Sequence, residues 1–167
     1  FYQVHPTSGS QFSDAPMMPT PSTLYGGTER IVYNLTEELV RRGHDVTLFA
    51  TGDSKTSAKL ESVYPRGLFQ DSGWSNHLYP MLHISNAFDR AKEFDVIHMH
   101  LNTRHDYIAL VLADYVKNIT PTIFTTHFIY PLEGEKDRED RMAFLKKYRH
   151  HNFVTLSNAQ RTLKFLN

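Results

Sequence analysis

Stretches typical of strands alternate with stretches typical of helices along almost the whole chain of 167 residues. Short runs rich in β-branched and aromatic residues predict strands, and longer runs with apolar residues three and four apart predict helices. The predicted strands are 1–5, 44–50, 59–64, 95–100, 122–127 and 153–156, and the predicted helices are 28–42, 78–94, 107–116, 137–149 and 159–166. This order predicts βαβ units, and therefore an α/β fold with a doubly wound, mainly parallel sheet and helices on both faces.

Two of the predicted helices have a clear apolar side. In 28–42, Ile31, Leu35 and Leu39 fall four residues apart, with Val32 and Val40 flanking them. Gly43 follows two arginines, as is typical of a helix C-terminus. In 78–94, four residues are expected to share the packed side: Leu82, Ala87, Phe88 and Ala91.

Residues 6–24 contain four prolines among many serines and threonines, and they are predicted to form a long loop. A loop of this length inside a compact domain is more often functional than idle. Residues 65–76 have no clear pattern and are assigned neither to a helix nor to a strand.

Composition excludes several functional classes. Lys plus Arg and Asp plus Glu both total 18, so the net charge is zero, without the broad basic surface of a nucleic-acid-binding protein. The absence of cysteine excludes disulfides, thiolate metal sites and a cysteine nucleophile. No apolar run is long enough to span a bilayer and no signal peptide is visible, so the chain is predicted to be soluble.

Polar residues lie at or just after the ends of five of the predicted strands, and the carboxyl ends of strands are where ligands bind to such sheets. Polar turns end many strands, but their coincidence over five ends favours a binding cleft. The residues concerned are His5 with the loop that leads to Gly26 and Gly27, then 52–54, then His98, His100 and Asn102, then Thr126 and His127, then Ser157 and Asn158.

Gly26 and Gly27 come immediately before the helix predicted at 28–42. One explanation is structural, because glycine suits the turn that precedes a helix. The other is functional, because a helix N-terminus exposes unpaired N–H groups and glycine lets an anion approach them. Neither the G-x-G-x-x-G dinucleotide fingerprint nor the G-K-[ST] of a P-loop is present, so a redox or ATPase function is not favoured.

The segment His98-Met-His100-Leu-Asn102-Thr-Arg-His105-Asp106 partly matches the H-x-H-x-D-H signature of dinuclear metal hydrolases. Two histidines on one face of a strand can bind a metal. However, Asn102 replaces the signature's carboxylate and Thr103 replaces its third histidine. The alternative is that one histidine packs beneath the cleft and the other lines it, and a histidine-metal hydrolase is the less favoured hypothesis.

Several segments, in order, resemble the amino-terminal domain of family 4 retaining glycosyltransferases. The most specific are Tyr25-Gly-Gly-Thr-Glu-Arg-Ile-Val and Arg41-Arg-Gly-His-Asp-Val-Thr-Leu-Phe-Ala50, followed by 52–56, 94–98, 125–127 and 157–161. Enzymes of that family have the GT-B fold, in which two Rossmann-like domains face each other across a deep cleft. The resemblance implies that 1–167 is one Rossmann-like amino-terminal, acceptor-side domain. It also implies that the carboxy-terminal domain, which supplies the donor-binding carboxylates and a basic pair for the diphosphate, lies outside this chain.

The resemblance also implies roles for individual residues. Gly26 and Gly27 match the glycine-rich loop that faces the donor diphosphate and sugar, and His127 matches a histidine against the donor sugar, which makes it the catalytic candidate. Further donor-side candidates are Thr28, Asn102 and Ser157. The acceptor-side candidates are aromatic, since aromatic rings suit sugar faces: Tyr25, Phe69 and Trp74. Trp74 could equally anchor its loop to the core.

The predicted activity is metal-independent transfer of a sugar from a nucleotide-diphosphate donor to a hydroxyl of a carbohydrate, lipid or small-molecule acceptor. No cofactor, metal ion or nucleic-acid partner is expected, and the location is predicted to be cytoplasmic or peripheral to a membrane. The alternative is a stand-alone Rossmann-like module that binds a sugar or nucleotide without catalysis. The isolated chain is expected to fold but not to catalyse.

Overall fold

The computed structural model describes residues 10–13, 20–21, 26–68, 78–127 and 138–158. They contain a six-stranded sheet in which every paired neighbour is parallel. The strands are β1 (Ser10–Ser13), β2 (Val46–Phe49), β3 (Lys59–Glu61), β4 (Ile97–Leu101), β5 (Thr122–Thr126) and β6 (Asn152–Thr155). Their order is β3-β2-β1-β4-β5-β6, which is the Rossmann order, with its change of direction between β1 and β4. The predicted Rossmann-like α/β fold is therefore confirmed.

The described residues contain four α-helices between these strands: α1 (Gly27–Arg41), α2 (Leu78–Asp89), α3 (Ile108–Val116) and α4 (Arg138–Lys147), with short 3₁₀ helices at Ala91–Glu93 and Arg104–Tyr107. Val46 and Leu48 of β2 pack with α1, whereas Phe49 belongs to a larger core with α2, α3 and α4. Because successive side chains of a strand point to opposite faces, the helices cover both faces of the sheet. No helix among the described residues is both long and apolar enough to cross a membrane.

The prediction for residues 6–24 was wrong at β1, which lies within the segment predicted to be a loop. β1 is hydrogen-bonded to β2 on one side and to β4 on the other, so it is a central strand. Its sequence, Ser-Gln-Phe-Ser, has no strand pattern, and pairing on both sides determines its conformation. The strand predicted at 1–5 and the helix predicted at 159–166 lie outside the described residues.

The buried side of α1 is rotated by about one residue from the predicted stripe. Val32 and Leu39 are buried, but Ile31 is 38% exposed, and Thr28 and Thr36 are buried in its place. Thr36 tolerates burial because its hydroxyl donates a hydrogen bond of 2.8 Å to the carbonyl of Val32.

In α2 and the 3₁₀ helix after it, three of the four residues expected to pack are buried: Ala87, Phe88 and Ala91. Leu82 is 50% exposed, so its predicted packing was wrong. A hydrophobic side chain at roughly helical spacing is not enough to bury it, because another element has to cover that part of the helix.

Candidate functional site

A cleft of about 360 Å³ lies beyond the carboxyl ends of β4, β5 and β6, beside the start of α1. Its volume is at the lower end of the range for ligand pockets, about 300–1,000 Å³. The lining residues are Gly26, Gly27, Thr28, Glu29, Ile31, Asn102, His127 and Leu156. The cleft is at the carboxyl edge of the sheet, where doubly wound folds bind their ligands.

The two glycines at the start of α1 have different physical requirements. Gly26 is the N-cap of α1 and has φ 143° and ψ 78°, a backbone conformation that residues with a Cβ rarely adopt. Gly27 has no such restriction, and a Cβ added to it meets no atom within 4 Å. Gly26 is therefore needed for the turn, whereas Gly27 keeps the cleft wall free of a side chain.

Gly26, the N-cap of α1, offers no side chain to cap the helix, and hydrogen bonding within the helix starts only at Arg30, whose N–H donates to the carbonyl of Gly26 at 3.2 Å. The carboxyl group of Glu29 accepts a hydrogen bond from its own N–H. The N–H groups of Gly27 and Thr28 have no carbonyl acceptor within the helix, and they combine with the positive end of the helix dipole. This end of the cleft is suited to an anionic group.

Beneath the cleft, three histidines form a row on the face of the sheet that α1 covers. The Nε2 of His98 is 2.6 Å from the hydroxyl of Thr125, and the Nδ1 of His100 is 2.8 Å from the Nε2 of His127. The rings of His98 and His100 are stacked with centroids 4.4 Å apart. Only His127 lines the cleft, so the expectation that one histidine of the His98–His100 pair would do so was wrong.

Burial keeps these three imidazoles neutral. It lowers the pKa of His98 to about 3 and that of His127 to about 4, and it places the pKa of His100 well below its ordinary value. At neutral pH the hydrogen bond between His100 and His127 therefore joins two neutral rings, one nitrogen donating and the other accepting. The Nε2 of His127 is committed to this bond, which leaves Nδ1 as its ring nitrogen for a ligand.

Asn102 is held in the cleft by a buried carboxyl group that the sequence analysis did not select. Oδ2 of Asp106 accepts hydrogen bonds from the backbone N–H of Asn102, at 2.7 Å, and from that of Thr103. Asp106 is fully buried, and burial raises its pKa to about 6. The signal was present, because Thr103-x-x-Asp106 fits the pattern that starts a helical turn.

Three lining residues were not predicted: Glu29, Ile31 and Leu156. Glu29 is the most informative, because its side chain is only 2% exposed and burial raises the pKa of its carboxyl group. An acidic residue in the first turn of a helix usually indicates a solvated surface, so sequence alone gave no sign of this burial.

The structure brings five of the predicted site residues together in the cleft: Gly26, Gly27, Thr28, Asn102 and His127. Ser157 is exposed and follows the lining residue Leu156 without lining the cleft itself. The acceptor-side candidates Tyr25, Phe69 and Trp74 lie outside the described residues. In the described part of the chain, neither His98 nor His100 belongs to a group of three metal-ligand atoms within 4.8 Å of one another.

The sheet order defines a Rossmann-like α/β domain with a cleft at the carboxyl edge of its sheet. The family model for Glycosyltransferase Family 4 matches residues 25–163, and the chain belongs to that family. No curated protein gives a significant match. Membership identifies the chain as a glycosyltransferase domain, a class of enzyme that binds a sugar donor and an acceptor.

Proposed function

We propose that this chain is the acceptor-side domain of a retaining glycosyltransferase that transfers a sugar from a nucleotide-diphosphate donor to an acceptor hydroxyl. The observation that carries the proposal is the composition of the cleft, in which the uncapped start of α1 lies with Asn102 and the neutral His127. An uncapped helix start suits a diphosphate, and neutral polar side chains suit sugar hydroxyls.

The diphosphate is proposed to lie against Gly27 and Thr28. Negative charge grows on the diphosphate as its bond to the sugar breaks, and fixed N–H dipoles stabilise that charge without reorganisation. A side chain at Gly27 would hold the diphosphate away from these N–H groups.

The sugar is proposed to lie against His127 and Asn102. A neutral imidazole can donate or accept one hydrogen bond through Nδ1, and the amide of Asn102 can do both. His127 thus orients the sugar by hydrogen bonding and carries no positive charge. The carboxyl of Glu29 is a further acceptor for hydroxyl groups on the same wall.

The proposed chemistry is transfer on one face of the sugar. The bond from the anomeric carbon to the leaving phosphate oxygen breaks, and a bond from that carbon to the acceptor oxygen forms on the same side. The proton of the acceptor hydroxyl passes to the leaving diphosphate, so no protein nucleophile and no metal ion is required.

We also propose that a carboxy-terminal domain holds the nucleotide and completes the site, in a protein that is cytoplasmic or peripheral to a membrane. Catalysis needs donor and acceptor to be held in the correct relative orientation, and a cleft of about 360 Å³ can hold only part of a nucleotide-sugar donor. The chain alone is therefore expected to bind nucleotide sugars weakly and not to turn them over. Gene sequence beyond residue 167 that encodes a domain with an E-x7-E motif supports this proposal, and a stop codon there supports a non-catalytic binding module.

The test compares Gly27→Val with Asn34→Val, which places the same residue at an exposed position farther along α1. Binding of a panel of nucleotide-diphosphate sugars to the 167-residue chain is followed by saturation-transfer NMR. Gly27→Val is expected to weaken binding by at least about tenfold, because the new methyl groups occupy the path to the N–H groups. Its melting temperature should stay nearly unchanged, since no atom lies within 4 Å of the added Cβ.

Asn34→Val should leave both binding and melting temperature as they are in the parent chain. A large stability loss in Gly27→Val would mean that the glycine serves the turn rather than the ligand. Full binding by Gly27→Val would place the donor elsewhere. Turnover by the chain alone would remove the need for a second domain.

A further inference from the structure

Three side chains with metal-binding atoms meet at the amino edge of the sheet, opposite the cleft. Asp114 lies near the end of α3, which runs back from the carboxyl edge, and His150 and His151 immediately precede β6. One atom from each lies within 4.8 Å of the others, and within the described ranges this is the one group of three or more such side chains. Neither the sequence motifs nor the proposed transfer reaction involves these residues.

The distances between the atoms suit one small ion. The Nε2 of His150 is 2.7 Å from the Oδ1 of Asp114, and the Nε2 of His151 is 3.6 Å from the same oxygen. Two ligands bound tetrahedrally at about 2.0–2.1 Å from a zinc ion are about 3.3 Å apart, which lies between these values. We propose that Asp114, His150 and His151 form a binding site for Zn²⁺ or a similar transition-metal ion, with water as a fourth ligand.

The exposure of the two histidines fits this role. The side chain of His151 is 7% exposed and so fixed by its surroundings, whereas that of His150 is 49% exposed, which gives an ion access from solvent.

Three contacts compete with the ion and make the proposal easy to test. The Nε2 of His150 is hydrogen-bonded to the Oδ1 of Asp114 at 2.7 Å, and that nitrogen must give up its proton to bind the ion. The Nε2 of His151 is 3.1 Å from the carbonyl of Leu110, and that hydrogen bond must be exchanged for a bond to the metal. The ammonium group of Lys117 lies 3.5 Å from the Oδ1 of Asp114, so it opposes a second cation at the same oxygen. Removing the charge of Lys117 should therefore strengthen metal binding.

A bound ion would join the end of α3 to the segment that leads into the edge strand β6. Because the unfolded chain does not hold the three ligands together, binding should favour the folded state. The site would act as a cross-link at the edge of the sheet, independent of the cleft.

The experiment titrates the chelator-treated chain of 167 residues with Zn²⁺ against a chromophoric chelator and records the melting temperature with and without the ion. We expect one Zn²⁺ per chain and a higher melting temperature in its presence. His150→Ala, at an exposed position that should not disturb folding, and Asp114→Asn should each lower the affinity at least about tenfold. Lys117→Gln should raise the affinity, and His44→Ala, which alters a histidine outside the group, should leave it unchanged.

Cobalt(II) adds a spectroscopic test, because a tetrahedral site with nitrogen and oxygen ligands gives visible absorption bands much stronger than those of the aqueous ion. His150→Ala should abolish these bands. Several weak sites per chain, or an affinity that His150→Ala leaves unaltered, would show adventitious surface binding only and overturn the proposal. Gly27→Val should bind Zn²⁺ as the parent chain does, which keeps this test separate from that of the transferase function.

Discussion

His127 lines the cleft and is hydrogen-bonded to the buried His100 beneath it. Because each of these contacts uses a different ring nitrogen, the two can be tested separately. Its Nε2 is bonded to His100 at 2.8 Å, and its Nδ1 is the nitrogen proposed to face the sugar. An asparagine side chain can put a polar atom close to the position of Nδ1, whereas a glutamine side chain reaches that of Nε2. Asparagine at this position thus keeps the proposed contact with the sugar, and glutamine keeps the hydrogen bond to His100.

We expect His127→Gln to lower kcat/KM about tenfold to a hundredfold in the full gene product, because the hydrogen bond to the sugar is lost. His127→Asn should retain more activity but should be the less stable variant, since its bond to His100 is lost. Steady-state kinetics and thermal melting of both variants supply the check. If the order of the two activities is reversed, the contact with His100 matters more than the one with the sugar.

The sequence selected the polar residues at strand ends but missed Glu29 and Asp106. Strand ends can be found from local patterns, and parallel strands bring their carboxyl ends to one edge, so Gly27, Asn102 and His127 could be grouped in advance. Burial of a carboxyl group depends instead on what packs over it, which no local pattern records. The candidate residues were therefore found largely by their position at strand ends. The burial of Glu29 is known from the structure alone, whereas the Thr103-x-x-Asp106 pattern indicated the helical turn that contains Asp106 but not the burial of its side chain.

At the scale of elements, the sequence pattern predicted the helices and the other strands of the sheet but not β1. Apolar spacing is a local signal, and it located α1, β2, β4 and β5 to within about two residues. β1 is held by hydrogen bonds to strands on both sides, a long-range effect that its own residues do not reveal. The same limitation applies to α1, where two threonines replace Ile31 on the buried side.

The side chain of Asp106 holds the turn after β4. Oδ2 of Asp106 accepts hydrogen bonds from the backbone N–H groups of Asn102 and Thr103, and Asp106 is fully buried. In Asp106→Asn the amide keeps one oxygen acceptor but introduces two buried donors that need partners. We expect a loss of stability of about 1–3 kcal/mol, together with weaker nucleotide-sugar binding as Asn102 moves.

Urea unfolding and binding of a nucleotide sugar, measured on the same samples, check this prediction. Asp89→Asn at the exposed end of α2 is the matched control, and it should alter neither quantity. Unchanged stability in Asp106→Asn would show that solvent or other backbone groups can replace the carboxylate in this turn.

Across the whole molecule, the two edges of the sheet differ in chemistry. The carboxyl edge carries the cleft with its uncapped helix start, and the amino edge carries Asp114, His150 and His151. The alternation of elements was sufficient to predict a doubly wound sheet, because right-handed crossovers leave few other arrangements. It did not indicate that Asp114 lies beside His150 and His151, since Asp114 and His150 are 36 residues apart in the sequence and meet through the packing of the fold.

The molecule also buries an unusual number of neutral imidazoles, and these should make its stability depend on pH. Desolvation lowers the pKa of His83 and His127 to about 4 and that of His98 to about 3, and it places the pKa of His100 well below its ordinary value. In the unfolded chain these groups bind protons below about pH 6.5, whereas in the folded chain they do not until the pH is far lower. Their contribution to stability is thus complete above about pH 6.5 and is lost as the pH falls toward 4. The pKa of Asp106 is raised to about 6, so below that pH the folded chain binds a proton at Asp106 that the unfolded chain does not yet bind. This group therefore favours the folded state as the pH falls below about 6, opposite to the effect of the histidines.

We therefore expect the free energy of unfolding to fall as the pH is lowered from about 7 to 5.5, with each histidine contributing up to about 1.4 kcal/mol per pH unit. Urea unfolding in the presence of a chelator gives this slope directly. His83→Leu removes one of the four groups at a fully buried position away from the cleft, and it should reduce the slope by about one such increment. Ile84→Ala, also fully buried in α2, should lower stability by a similar amount at every pH and leave the slope as it is, because no titrating group is lost. A slope that His83→Leu does not reduce would mean that His83 takes up its proton equally in the folded and unfolded chain, and the burial argument for it would fail.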